Sequence, residues 1–134
     1  MNFTTETSCI IYGNHLDVVQ RMLDYDFVCG RQPSVKAILV PETSQHHAKV
    51  FFGTKEIFIP YCTDREMVEQ YAPCDVLINF ASVRSAPEVV KRAVDTGIFK
   101  AVFTVAEGIP ERTTRELIAY ATGKECMLLG PSIV

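Results

Sequence analysis

The sequence predicts an α/β, Rossmann-like doubly wound fold: a mostly parallel sheet with helices on both faces and a small β-hairpin insertion. Three observations predict it. Short apolar runs recur along the chain at Ser8–Tyr12, Lys36–Val40, Asp75–Phe80, Lys100–Val105 and Cys126–Leu129. They are continuously apolar, as expected of strands covered on both faces, whereas a sheet with one wet face would alternate in polarity. Between them, apolar residues return at helical spacing, and glycine or proline punctuates the junctions.

In chain order, Ser8–Tyr12 is the first strand and Gly13 ends it; Leu16, Val19, Met22 and Leu23 then mark one face of a helix. Lys36–Val40 is the second buried strand, closed by Pro41 and followed by a polar loop from Glu42 to Ala48. Val50–Phe52 and Glu56–Pro60 flank Gly53-Thr54 and form the hairpin signal. Thr63 and Glu66 have capping-box spacing and open a short helix to about Tyr71. Asp75–Phe80 is the central strand, and Val89, Val90, Ala93 and Val94 face inward from a helix that stops at Gly97. The pattern repeats with a strand at Lys100–Val105, Pro110 at the first position of a helix, and Leu117, Ile118 and Ala121 inward until Gly123. Cys126–Leu129 is the last strand, closed by Gly130-Pro131.

A length of 134 residues suits one domain, with enough chain to bury a core. At 48% hydrophobic and 22% charged the composition is globular, and a net charge of -3 offers nothing to a nucleic acid. No run is long and apolar enough for a membrane span, and Met1–Thr7 lacks the order of a signal peptide, so the expected location is cytoplasmic. The five cysteines are odd in number and without Cys-x-x-Cys spacing, which reads as small buried hydrophobes in a reducing compartment. His46-His47 has no ligand partner at metal-site spacing and reads as solvated loop; no metal site is expected.

The chemistry concentrates in Asp75–Glu88, where the central strand runs into a small, polar, cationic turn. Ser85 and Glu88 have the spacing of a capping box, so the helix is expected to start near Ser85. A helix N-terminus presents N–H donors and positive dipole, which suits an anion such as phosphate, and Arg84 adds a full charge. Each residue has a plainer reading beside this one. Arg84 fits a solvated charge, Ser82 a turn hydroxyl, and Asn14 either a ligand contact or a helix N-cap. Glu107, just past a strand end beside Gly108, fits a group that orients or deprotonates a reactant, or a carboxylate favoured by the next helix N-terminus. Gly13-Asn-His-Leu-Asp17 holds one glycine where a nicotinamide site needs Gly-x-Gly-x-x-Gly, and no Gly-x-Ser-x-Gly occurs.

The segments Val19–Cys29, Lys55–Pro60, Asp75–Ala86, Ala106–Pro110 and Gly130-Pro131 resemble, in collinear order, the CoA-binding domain of ATP-citrate lyase. More distantly the chain resembles the α subunit of succinyl-CoA synthetase, whose glycine-rich loop after the first strand it lacks. The Asn-Phe-Ala-Ser-x-Arg-Ser-Ala string from Asn79 to Ala86 is the specific part. The resemblance implies a reaction in which ATP phosphorylates a histidine, citryl phosphate forms, CoA attacks it, and citryl-CoA is cleaved to acetyl-CoA and oxaloacetate. It implies that residues 1–134 are the CoA-binding domain of a larger subunit, with CoA as substrate. ATP and Mg would act through other ligase and lyase domains or subunits. Matched by motif, Phe80, Ala81, Ser82, Arg84 and Ser85 fall on the CoA-contacting turn, and Glu107 on the Glu-Gly-Ile-Pro glutamate near the reacting end. None of His15, His46 and His47 matches the phosphorylated histidine. Alternative readings are the CoA-binding domain of a citryl-CoA or succinyl-CoA synthetase, and a free-standing CoA or nucleotide-binding module.

Overall fold

The apolar runs become strands in the computed structural model, which describes residues 4, 6–41, 45–63, 66, 69–71 and 74–130. The chain divides into two compact units, Asn2–Ala72 and Pro73–Val134, each described here by itself. The fold is Rossmann-like α/β with mostly parallel strands.

In the first unit β1 (Cys9–Tyr12) leads into α1 (Leu16–Val28), then β2 (Val35–Leu39), β3 (His47–Phe52) and β4 (Lys55–Cys62). β1 and β4 flank β2 in parallel, and β3 pairs antiparallel with β4 through a two-residue turn at Gly53-Thr54. The predicted hairpin is therefore present, and its second arm is also a strand of the parallel sheet. Gly53 is required twice over. Its φ is +65°, and a Cβ there would lie 2.4 Å from the Phe27 ring of α1. Phe27 in turn meets Phe52 edge to face, with ring centroids 5.4 Å apart. The Gln20 side-chain amide also pairs with the Phe51 backbone, accepting from its N–H at 3.0 Å and donating to its carbonyl at 2.8 Å. That occupies part of β3's hydrogen-bonding edge.

Of the face predicted for α1, Val19 and Leu23 are buried and Met22 half-buried, whereas Leu16 at its first position is 37% exposed; the helix also buries Asp26, which is 1% exposed. A carboxylate taken out of water needs compensating partners. Asp26 accepts from the Ser34 N–H at 2.8 Å and the Ser34 hydroxyl at 2.7 Å, and pairs with Arg31 Nη2 at 3.0 Å. These contacts close the turn between α1 and β2, and the Arg31 guanidinium carbon lies 5.0 Å from the centre of the Tyr25 ring.

The second unit holds β5 (Val76–Asn79), α2 (Ala86–Thr96), β6 (Ala101–Thr104), α3 (Glu111–Gly123) and β7 (Met127–Leu129). β6 lies between β5 and β7, all parallel. Ala86, Val89, Val90, Ala93 and Val94 form the buried stripe of α2, each valine contributing roughly 1.5 kcal/mol or more on burial. The helix stops at Gly97, whose φ of +72° is the left-handed cap that glycine adopts without strain.

Several local expectations are corrected. Strand begins at His47, so His47 is an exposed strand residue and not loop. Pro110 caps α3 from outside, with φ -55° and ψ 141°, and the first helical residue is Glu111. Ile118 is 44% exposed, because the buried side of α3 is carried by Leu117 and Ala121. Four cysteines are buried as expected, but Cys29, just past the end of α1, is exposed; all five are free thiols. Burial raises the Cys126 thiol pKa. Pro131 lies outside the described residues, as do Asp64, Arg65, Met67 and Val68 of the stretch where the sequence predicts a short helix.

Candidate functional site

The site read from the sequence lies on the turn between β5 and α2 and on the loop after β6. Parallel pairing sets Asn79 beside Thr104, so both segments leave the sheet at the same edge of the second unit. That is the strand end at which open α/β sheets take their ligands. The Val105 N–H donates to the Asn79 carbonyl at 3.1 Å and holds the start of the second segment to the end of β5. Further out, a Cβ on Gly108 would lie 3.9 Å from Val83 Cγ2. The loop carrying Glu107 thus runs beside the turn carrying Arg84. Gly108 has a φ of +85°, which lets the chain double back there.

Within the turn, the Ser82 carbonyl accepts from the Ser85 N–H at 3.1 Å and the Ala86 N–H at 2.8 Å, and the Ser82 and Ser85 hydroxyls are 3.2 Å apart. Ser85 has φ -103° and ψ -16°, already in the right-handed helical region, and its side chain makes no capping bond. The expected Ser85–Glu88 box is therefore not formed, since a capping serine needs an extended backbone to reach back over the first turn. Thr63 and Glu66 do form theirs. The Glu66 carboxylate accepts from the Thr63 hydroxyl at 3.0 Å and the Thr63 N–H at 3.3 Å, and the Glu66 N–H donates to the Thr63 hydroxyl at 3.5 Å.

Phe80 and Ser85 are half-buried, Ala81 is buried, and Ser82, Arg84 and Glu107 are exposed. Among the described residues neither Arg84 nor Glu107 has an ion-pair partner. A cation, two hydroxyls and the start of a helix are thus gathered in one short turn, an arrangement suited to an oxyanion such as phosphate. The residue that sequence reasoning passed over is Asn79. It is fully buried, its Oδ1 accepts from the Ala81 N–H at 3.0 Å, and its Nδ2 donates to the Ala86 carbonyl at 3.3 Å. A lone asparagine ending an otherwise aliphatic strand was the available signal.

Asn14 is not the N-cap of α1. His15 takes that position, without a side-chain bond, and Asn14 Oδ1 accepts from the buried Tyr61 hydroxyl at 2.9 Å. Two grooves of about 320 and 460 Å³ flank Arg31 and Ser34 in the first unit, and their walls contain none of the site residues. Asp26 lines the smaller groove and is committed to Arg31 and Ser34, and Glu6 lines the larger. No three His, Cys, Asp or Glu side chains converge among the described residues, and no helix there is long and apolar enough to cross a membrane.

No protein-family model matches the chain. The chain is similar to ATP-citrate synthase of Bos taurus, 40% identical over 134 residues that cover 98% of this chain and 12% of that protein. It is also similar to the solved ATP citrate lyase of Methanothrix soehngenii in complex with citrate and coenzyme A. That match has a TM-score of 0.93 and 39% identity, covering 100% of this chain and 22% of the other. The Methanosaeta concilii ATP citrate lyase in complex with (3S)-citryl-CoA matches with a TM-score of 0.94 and 38% identity over the same shares. The resemblance read from the motifs therefore holds along the whole chain, which spans a small part of each of these relatives.

Proposed function

We propose that residues 1–134 form a CoA-binding domain working as part of an ATP-citrate lyase, which converts citrate, CoA and ATP to acetyl-CoA, oxaloacetate, ADP and phosphate through citryl phosphate and citryl-CoA. The observation that carries this reading is the end-to-end match, at 39% identity, to a lyase solved with citrate and coenzyme A. The exposed cationic turn at the expected sheet edge supports it independently. In this reading Arg84 pairs with a phosphate of CoA, the Ser82 and Ser85 hydroxyls donate to the same group, and Phe80 and Ala81 line the path of the ligand. Glu107 acts at the reacting end, where a carboxylate orients the thiol or takes its proton. ATP, Mg and the phosphorylated histidine belong to other ligase and lyase domains, and the assembled enzyme is cytoplasmic.

Calorimetric titration with CoA and with dephospho-CoA tests the binding assignment. Heat or a thermal shift with CoA is expected, and neither appearing at millimolar ligand with a folded chain refutes it. The 134-residue chain by itself should make no acetyl-CoA from citrate and ATP. Measurable product would refute the placement of the histidine elsewhere.

A further inference from the structure

We infer that Asn79 is the positioning residue of the ligand-binding turn: its buried amide holds Phe80–Ala86 in the shape that presents Arg84, Ser82 and Ser85. The inference rests on the CoA reading above and extends it to a residue that does not touch the ligand. At 0% exposed, Asn79 ends an otherwise aliphatic strand, where a buried amide is tolerated only with hydrogen-bond partners. Its amide does two things that an apolar group cannot. Oδ1 accepts from the Ala81 N–H at 3.0 Å, an Asx-type link that turns the chain immediately after β5. Nδ2 donates to the carbonyl of Ala86, the first residue of α2, at 3.3 Å, so one side chain grips both ends of the turn. The grip matters because Ser85 supplies no side-chain cap, leaving the entry to α2 held by the Ser82 carbonyl and by Asn79. The Asn79 backbone carbonyl meanwhile holds Val105, two residues before Glu107. The β-ladder link would survive any substitution, whereas the two amide links are specific to the side chain.

The test compares wild type, Asn79→Leu and Asn79→Asp in the 134-residue chain by thermal melt, amide hydrogen exchange without ligand, and CoA titration. Leucine fills the same space and removes both links; aspartate keeps the acceptor for Ala81. Asn79→Leu is expected to melt cooperatively, to lose at least tenfold protection at Ala81, Ser85 and Ala86, whose N–H groups are hydrogen-bonded in the turn, while β5 and β6 keep theirs, and to bind CoA at least tenfold more weakly. Asn79→Asp keeps the acceptor for Ala81 but has no donor for the Ala86 carbonyl, so it should retain protection at Ala81 and lose it at Ser85 and Ala86. If leucine disrupts the fold, the same regional comparison is made between wild type and Asn79→Asp. Protection and CoA affinity equal to wild type in a folded variant would overturn the inference. If wild type itself fails to bind CoA, the ligand assignment falls, and the exchange arm still decides whether Asn79 shapes the turn.

Discussion

Replacing Arg84 by alanine separates a phosphate contact from a solvated charge. The side chain is exposed and has no ion-pair partner among the described residues, so truncation strands no buried charge and should change stability by about 0.5 kcal/mol or less. A charge-assisted contact to phosphate is worth roughly 1.5–3 kcal/mol. Exposure and salt screening favour the lower end, a loss of about 1.5 kcal/mol, or close to tenfold in CoA affinity. Arg84→Lys keeps the charge without the planar fork and should fall between wild type and alanine. Calorimetric titration at low and at raised ionic strength, with thermal melts of each variant, reads both quantities. The gap between wild type and Arg84→Ala should narrow as salt rises. Unchanged CoA affinity in a folded Arg84→Ala protein would refute the phosphate contact and leave Arg84 a solvated turn residue.

Thr63→Ala removes a formed capping box and should cost about 1 kcal/mol in urea unfolding, whereas Ser85→Ala removes no cap and should cost only a few tenths. Equal losses would contradict the two observed cap geometries. Asp26→Ala leaves Arg31 and Ser34 without their buried acceptor and should destabilise by about 3 kcal/mol, the low end for a broken buried pair because Arg31 is partly exposed. A loss below about 1 kcal/mol would show that the turn between α1 and β2 closes without it. Tyr120 titrates above the ordinary 10.0 chiefly because its hydroxyl donates to Asp95, with the carboxylate charge adding to the effect. A raised acid pKa stabilises the fold below pH 10.0, and that contribution disappears as pH rises through the folded value. Absorbance titration should show the tyrosine shift, lost in Asp95→Asn; no change between the two proteins would refute the linkage.

The order of strands and helices, the hairpin at Gly53-Thr54 and the helix stop at Gly97 were all legible in the sequence. Each depends on near neighbours: apolar side chains repeating with the period of a strand or a helix, and glycines where the backbone turns through positive φ. The candidate site was legible as a string, because Phe80–Ser85 and Glu107 sit in short contiguous motifs. Capping chemistry was legible only in half. Thr63 and Ser85 have the same spacing to a glutamate, yet one box forms and the other does not, because Ser85 already lies in a turn closed by the Ser82 carbonyl. Spacing reports which partners are within reach along the chain, whereas backbone angles decide whether they meet. The same limit hid Gly53 against Phe27, Asn14 under Tyr61, Asp26 with Arg31 and Ser34, and Asn79 between Ala81 and Ala86. Residue identity alone determined the elements and the family likeness. The tertiary structure decided which polar groups are buried and what they bond to, since a buried donor or acceptor must take the partner that folding brings within about 3 Å.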